Sequence, residues 1–271
     1  MFTERDTERY YNHQDDLYRS FWDPEGGLHY GYFPDLAGAR PPGGADTAER
    51  LAAAFRDWDR ELLARSGIDG DSAVLDIGCG NGTTSVWLAR TTGCRVTGID
   101  LSLVRVTNAQ RLREANPAAR VTFRKASAER VPYPDGSFSH AWSQATLYHV
   151  HDRPRALAEV HRVLRDGGVF AFDDLTTPRT PVGSATRRHV YDRLLFEPAL
   201  SAERYAAHLG DAGFAVESSR DLSGHLRRTY ELLVGRVAEL APELTVPYRA
   251  MIDAVDAGEV AWSCFICRKA A

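Results

Sequence analysis

Lysine is almost missing from this 271-residue sequence: Lys125 and Lys269 stand alone, and arginine carries the rest of the positive charge. That bias points to a GC-rich coding sequence and says nothing of function. Four cysteines, Cys79, Cys94, Cys264 and Cys267, are too few and too clustered for a disulfide framework. Cys264-x-x-Cys267 has no second pair or nearby histidine to complete a zinc site, so no metal is expected. No run approaches the roughly 20 apolar residues of a membrane helix, and the opening Met-Phe-Thr-Glu-Arg-Asp lacks the basic-then-apolar order of a secretory signal. The expectation is a cytoplasmic protein without a membrane partner. A formal charge of -4 leaves no basic field to hold a polyanion, which excludes nucleic acid as the expected ligand and favours small molecules. Repeats and low-complexity tracts are also lacking. A chain that is 44% hydrophobic and 26% charged is neither disordered nor collagen-like.

From about Ser72 onward, short apolar runs alternate with amphipathic stretches, the rhythm of strand and crossover helix in a parallel sheet covered on both faces. Strands are expected at 73–77, 95–99, 121–125, 138–142, 169–173, 215–221 and 260–268. Helices are expected at 83–91, 102–115 with Ser102 as N-cap, 154–164 ended by Asp166-Gly167-Gly168, and 201–212. Residues 1–66 fall outside this rhythm, with an aromatic-rich opening, a Pro/Gly stretch from Gly38 to Gly44, and an amphipathic helix at about 47–65. So does 175–200, which carries Pro178, Pro181 and Pro198 and is too irregular for a standard crossover. Both segments, and 222–258, are expected to cover the sheet edge where the strand order reverses and ligands sit.

The strongest chemical signal is Val74-Leu-Asp-Ile-Gly-Cys-Gly-Asn-Gly82, a strand running into a glycine-rich turn that opens a helix. Gly78, Gly80 and Gly82 let main-chain N–H groups approach a ligand. The spacing is G-x-G-x-G rather than the G-x-G-x-x-G of dinucleotide folds, which disfavours a nucleotide-dependent oxidoreductase. Asp76 precedes the first glycine by two residues. Asp100 ends the second strand, where a carboxylate can accept from both hydroxyls of a ribose.

These strings resemble the first two motifs of the class I S-adenosylmethionine-dependent methyltransferases, the second being Gly98-Ile-Asp-Leu-Ser102. Ala126 to Phe138 is similar to the family's adenine-side stretch, and Leu164-Arg-Asp-Gly-Gly168 to its turn before strand five. The resemblance implies an α/β fold, a doubly wound, mostly parallel seven-stranded sheet whose last strand is antiparallel. It implies one domain over 1–271, with a helical lid at 1–66 and a cofactor-binding core at 72–175. It also implies S-adenosylmethionine as cosubstrate. Asp76, Gly78 and Gly80 would take the methionine end, Asp100 the ribose, and Leu101 the adenine face. Ser127-Ala128 stands where the family often has Asp-Ala, and Gln144 would touch the cofactor.

Methyl transfer needs a nucleophile in line with the leaving sulfur and, for some acceptors, a base. His149, in Trp142-Ser-Gln-Ala-Thr-Leu-Tyr-His-Val150 after strand four, is the expected base, and Asp174 or its neighbour Asp173 its orienting acid. The run Tyr10-Tyr11 … Tyr18 … Phe21-Trp22 … Leu28-His-Tyr-Gly-Tyr-Phe33 resembles the opening of sarcosine-, tocopherol- and cyclopropane-type enzymes, which closes over the cofactor. Tyr11 and Tyr18 are expected at the cofactor, and Trp22, Tyr30, Phe196 and Trp262 at the acceptor. Arg187 and Arg188 are placed to clamp an anionic group such as a carboxylate or diphosphate. The acceptor atom is oxygen, nitrogen or carbon, with C-methylation of an isoprenoid diphosphate or a non-catalytic S-adenosylmethionine sensor as the other readings. A homodimer stays open.

Overall fold

Alternation decides the architecture. In β1 (Ala73–Ile77), Leu75 and Ile77 enter one hydrophobic core and Val74 the other, and all five residues are buried, as a central parallel strand requires. The same parity runs through β5 (Leu164–Thr176): Phe170 and Phe172 join one core, Val169, Ala171 and Leu175 the other. With β2 (Arg95–Asp100), β3 (Val121–Lys125), β4 (Phe138–Gln144), β6 (Phe214–Asp221) and β7 (Ala261–Lys269) they form one seven-stranded sheet. Its order is β3-β2-β1-β4-β5-β7-β6, with β7 antiparallel to both its neighbours. The computed structural model describes residues 2–36, 46–197 and 200–270. The Gly38–Gly44 stretch and Pro198 lie outside the described residues.

The strand order reverses between β1 and β4, so a crevice opens beyond their carboxyl ends. One core lies under α2 (Thr47–Ser66), α3 (Thr83–Thr92) and α4 (Leu103–Glu114); the other lies under α5 (Arg153–Val163) and α8 (Ala202–Asp211). The expected helix starts are capped: Ser102, Asp152 and Ser201 each accept from the backbone N–H three residues on. One boundary differs. Leu164 already pairs with Phe138, and the Asp166-Gly167-Gly168 turn sits inside β5 as an irregularity, with Gly167 at φ 73 absorbing the kink.

The three segments outside the α/β rhythm gather at one face. α1 (Glu4–Phe21) opens with a Thr3/Asp6 capping box and packs on α4 and on α9 (Ser223–Leu240), and α9 packs on α10 (Thr245–Asp256). Residues 184–194 form one helical run: α6 (Ser184–Thr186), a π-wound turn at Arg187–Tyr191, and α7 (Asp192–Leu194). Among the described residues no helix is long and apolar enough to cross a membrane, and no cluster of three metal-ligating side chains occurs.

Parity also separates the paired acids of β5. Asp173 faces α2, where Trp58 Nε1 donates to Oδ2 at 2.7 Å and Trp262 Nε1 to Oδ1 at 2.8 Å. Asp174 faces α8, accepting from Tyr205 Oη at 3.0 Å. Asp173→Ala orphans two buried indole donors, so it should lower stability by about 3 kcal/mol, with Asp173→Asn costing less because one acceptor remains. Chemical denaturation monitored by tryptophan fluorescence measures both.

Candidate functional site

The carboxyl ends of β1, β2 and β4 wall one cleft, lined by Asp76, Gly78, Gly80, Asp100, Leu101, Ala128, Gln144, Tyr11 and His149 among others. The glycine turn is built from backbone. Gly78 and Cys79 donate N–H to Ile99 O at 2.8 and 3.0 Å, which ties the turn to β2. Gly78 lies at φ 72, and a Cβ there would stand 2.2 Å from Thr146 Cγ2, so only glycine lets the turn pass β4's following loop. Asp100 fixes the turn from the other side, accepting from Gly80 N–H at 3.0 Å and Ser102 N–H at 2.7 Å. Asp76 accepts from Ser85 Oγ at the base of α3. Burial pushes its carboxyl up to about 7, and burial also raises Asp100 despite the Arg105 guanidinium nearby. This is a cradle of backbone amides and buried acids, which suits a ligand with an ammonium group and a ribose.

α1 forms the roof. Asp15, almost fully buried, accepts from Asn81 Nδ2 at 3.0 Å, Arg105 Nε at 3.1 Å and Asn108 Nδ2 at 3.1 Å. Ser102 Oγ donates to Asn12 Oδ1 at 2.7 Å, and Ser127 Oγ meets Glu4. These bonds set Tyr11 over the cleft, with the Arg105 guanidinium 3.9 Å from its ring centre and its hydroxyl hydrogen-bonded to His149 Nε2. Burial first, and the Arg105 charge next, push the His149 imidazole down to about 3. It is neutral at physiological pH.

Neither of the paired acids of β5 orients His149, contrary to expectation. Asp174 accepts from Tyr148 N–H at 3.0 Å and from Tyr205, and Asp173 is held by two indoles, so neither touches the imidazole. The cause is the alternation of β5: one acid is spent under each face. Tyr11, expected at the cofactor, is the partner that His149 has. Asp173 Oδ1 also accepts from Ala145 N–H at 3.1 Å, and Ala145 stands at φ 47, a left-handed turn that starts the loop carrying His149.

Other expected residues stand outside the cleft lining. Ser127 bonds to the roof, while Ala126 and Ala128 line the wall. Tyr18 hydrogen-bonds to Tyr10 and packs on Phe21 and Trp22. Trp22, Tyr30 and Trp262 form an aromatic layer one shell back, Tyr30 lying 5.3 Å from Trp262 between ring centres. Phe196 stacks on Tyr191 at 4.5 Å. Arg187 and Arg188 are exposed, Arg187 3.5 Å from Glu197, because their face of the helical run points to solvent. They clamp nothing in the cleft. Unforeseen in the sequence are His29 and Asp59, whose Nε2 and Oδ1 lie 3.5 Å apart, with Gln144 Nε2 donating to Asp59 at 3.0 Å. His29 sits in the run Leu28 to Phe33, where the aromatic residues masked it, and Asp59 sits on α2 with no local motif to mark it.

The raised Asp76 carboxyl has a sign. Below about pH 4 the acid is protonated folded and unfolded alike. As pH rises toward about 7, unfolding releases a proton, so this group's contribution to stability is lost. Asp76→Asn lacks that loss, so its stability relative to wild type should climb between about pH 4 and 8 in denaturant titrations of the ligand-free protein. A constant difference across that range would contradict the raised carboxyl.

The sequence pattern of the methyltransferase domain family matches residues 75–172. The chain is 34% identical to the 27-O-demethylrifamycin SV methyltransferase of Amycolatopsis mediterranei over 79% of this chain and 75% of that protein. It is 30% identical to the sarcosine/dimethylglycine N-methyltransferase of Halorhodospira halochloris over 96% and 95%. In structure it superposes on the geranyl diphosphate C-methyltransferase of Streptomyces coelicolor with a TM-score of 0.82 at 21% identity, covering 98% and 97% of the two chains. Sheet order, glycine cradle and relatives agree, and the chain belongs to the methyltransferase family.

Proposed function

We propose that this methyltransferase carries the methyl group of S-adenosylmethionine to a hydroxyl or amine of a small molecule, with His149 as the base and Tyr11 holding its ring. The observation that carries the reading is the Tyr11–His149 hydrogen bond at the end of a cleft whose other walls are the glycine cradle and Asp100. S-adenosylmethionine, when bound, supplies a methyl on a cationic sulfur, so the chain has to align a nucleophile and receive a proton. Asp100 suits the ribose, Asp76 with Gly78 and Gly80 the methionine end, and Leu101 with Ala128 the adenine. His149 is unprotonated at neutral pH and so able to accept a proton, but its depressed basicity leaves most of the rate to alignment by the roof and cradle. Relatives named for O- and N-methylation support these acceptor atoms. C-methylation of a diphosphate is less well supported, because the arginine pair it would use lies in solvent.

Asp100→Ala should weaken S-adenosylhomocysteine binding by about 2 kcal/mol or more in calorimetry, through loss of a charged acceptor for two hydroxyls. Unchanged affinity would move the ribose elsewhere. With an acceptor found by mass spectrometry, His149→Ala should slow turnover about 100-fold while leaving S-adenosylmethionine affinity intact, and Tyr11→Phe should slow it less. Full turnover in His149→Ala would reduce the mechanism to alignment alone.

A further inference from the structure

Behind Tyr11, the lid helices enclose a guanidinium that no carboxylate among the described residues answers. Arg193, on α7, anchors its Nε by donating to His189 O at 3.0 Å. Its Nη1 and Nη2 are buried and meet no acceptor in hydrogen-bond geometry. Around the head stand phenols from three other helices: Tyr10 and Tyr18 of α1, Tyr230 of α9 and Tyr248 of α10. The ring of Tyr248 lies 5.3 Å from the guanidinium carbon, and its own hydroxyl is likewise buried without a partner. The hydroxyls of Tyr10 and Tyr18 are occupied with each other. The two guanidinium nitrogens and the Tyr248 hydroxyl therefore converge at one buried point, where the only acceptors at hand among the described residues are neutral phenol oxygens such as that of Tyr230.

Leaving a charged donor buried and unmet is expensive, and such a group calls for a ligand, an ion or a water to complete it. The position fits the chemistry. Tyr10 packs edge-on against Tyr11 at 5.1 Å, and Tyr11 against His149 at 5.1 Å, so the guanidinium lies just behind the pair at the cleft's end. We infer that Arg193, with Tyr248, anchors a carboxylate on the methyl acceptor, whose hydroxyl or amine then reaches His149. A single guanidinium among neutral phenols balances one negative charge, which matches a carboxylate and leaves a phosphate dianion or diphosphate uncompensated. The inference rests on the proposed transfer to a small acceptor, and it assigns that acceptor's class.

The test is a binding measurement, read with and without saturating S-adenosylhomocysteine. The probes are 4-hydroxybenzoate and sarcosine, each against its primary amide, with 4-hydroxyphenyl phosphate as the dianion. Wild type should bind at least one acid tenfold or more tighter than its amide. Arg193→Gln should lose that preference, and Arg193→Lys should recover part of it. S-adenosylhomocysteine affinity should be the same in all three proteins; its failure in wild type would defeat the transfer reading and leave the acid-over-amide comparison to judge the anchor. Ligand-free Arg193→Gln should melt at or above the wild-type temperature, since it removes an unmet charge. No acid preferred over its amide, equal acid binding in Arg193→Gln, tighter binding of the phosphate, or a marked fall in the melting temperature of Arg193→Gln would each overturn the inference.

Discussion

The Asp15 carboxylate is where the lid and the cofactor cradle become one structure. It sits on α1, yet its three donors come from the glycine turn, through Asn81, and from α4, through Arg105 and Asn108. A buried carboxylate costs several kcal/mol unless its lone pairs are filled, and filling them requires α1 to lie at one height above the sheet. Tyr11 is placed by that requirement, one turn before Asp15 on the same helix. The roof of the cleft, the Arg105 charge above the Tyr11 ring and the partner of His149 all depend on it.

Charges of both signs meet around the cleft. Asp59, Asp76 and Asp100, from α2 and the strand ends, are all pushed toward their protonated forms by burial. At His149, burial first, then the charges of Arg105 on α4 and Arg193 on α7, keep the imidazole unprotonated. α1 adds acids of its own, Glu4 and Glu8 in the cleft lining and Asp15 against Arg105, so the roof meets the arginine that α4 supplies.

Much of this was legible in the chain. The strands follow from apolar runs at crossover spacing, their joining in one seven-stranded sheet from the family resemblance, and the helix starts at Ser102 and Ser201 from side chains that compete for backbone N–H groups. The cradle was legible because Asp76, the glycines and Asp100 lie within 25 consecutive residues and act through backbone. What was not legible is long-range. Arg193 differs in no local feature from Arg187 and Arg188, and helix phase alone decides which guanidinium turns inward. His29 and Asp59 meet from positions 30 residues apart in the chain. Asp173 and Asp174 read as a matched pair, and only strand parity, combined with knowledge of what packs on each face, assigns them to different neighbours.

The π-wound turn at Arg187–Tyr191 gives that helix phase a simple origin. A π turn holds one residue more than an α turn, so every side chain after it is rotated by about 100° relative to an uninterrupted helix. Arg193 lies two residues beyond it. The orientation of its guanidinium is thus encoded in the length of the segment as well as in the residue's identity. Loss of a single codon between 187 and 191 would return the helix to regular winding and swing the same arginine out of its tyrosine surround. The inward setting of that guanidinium therefore depends on how many residues the stretch holds, and an insertion or deletion there moves Arg193 without replacing it.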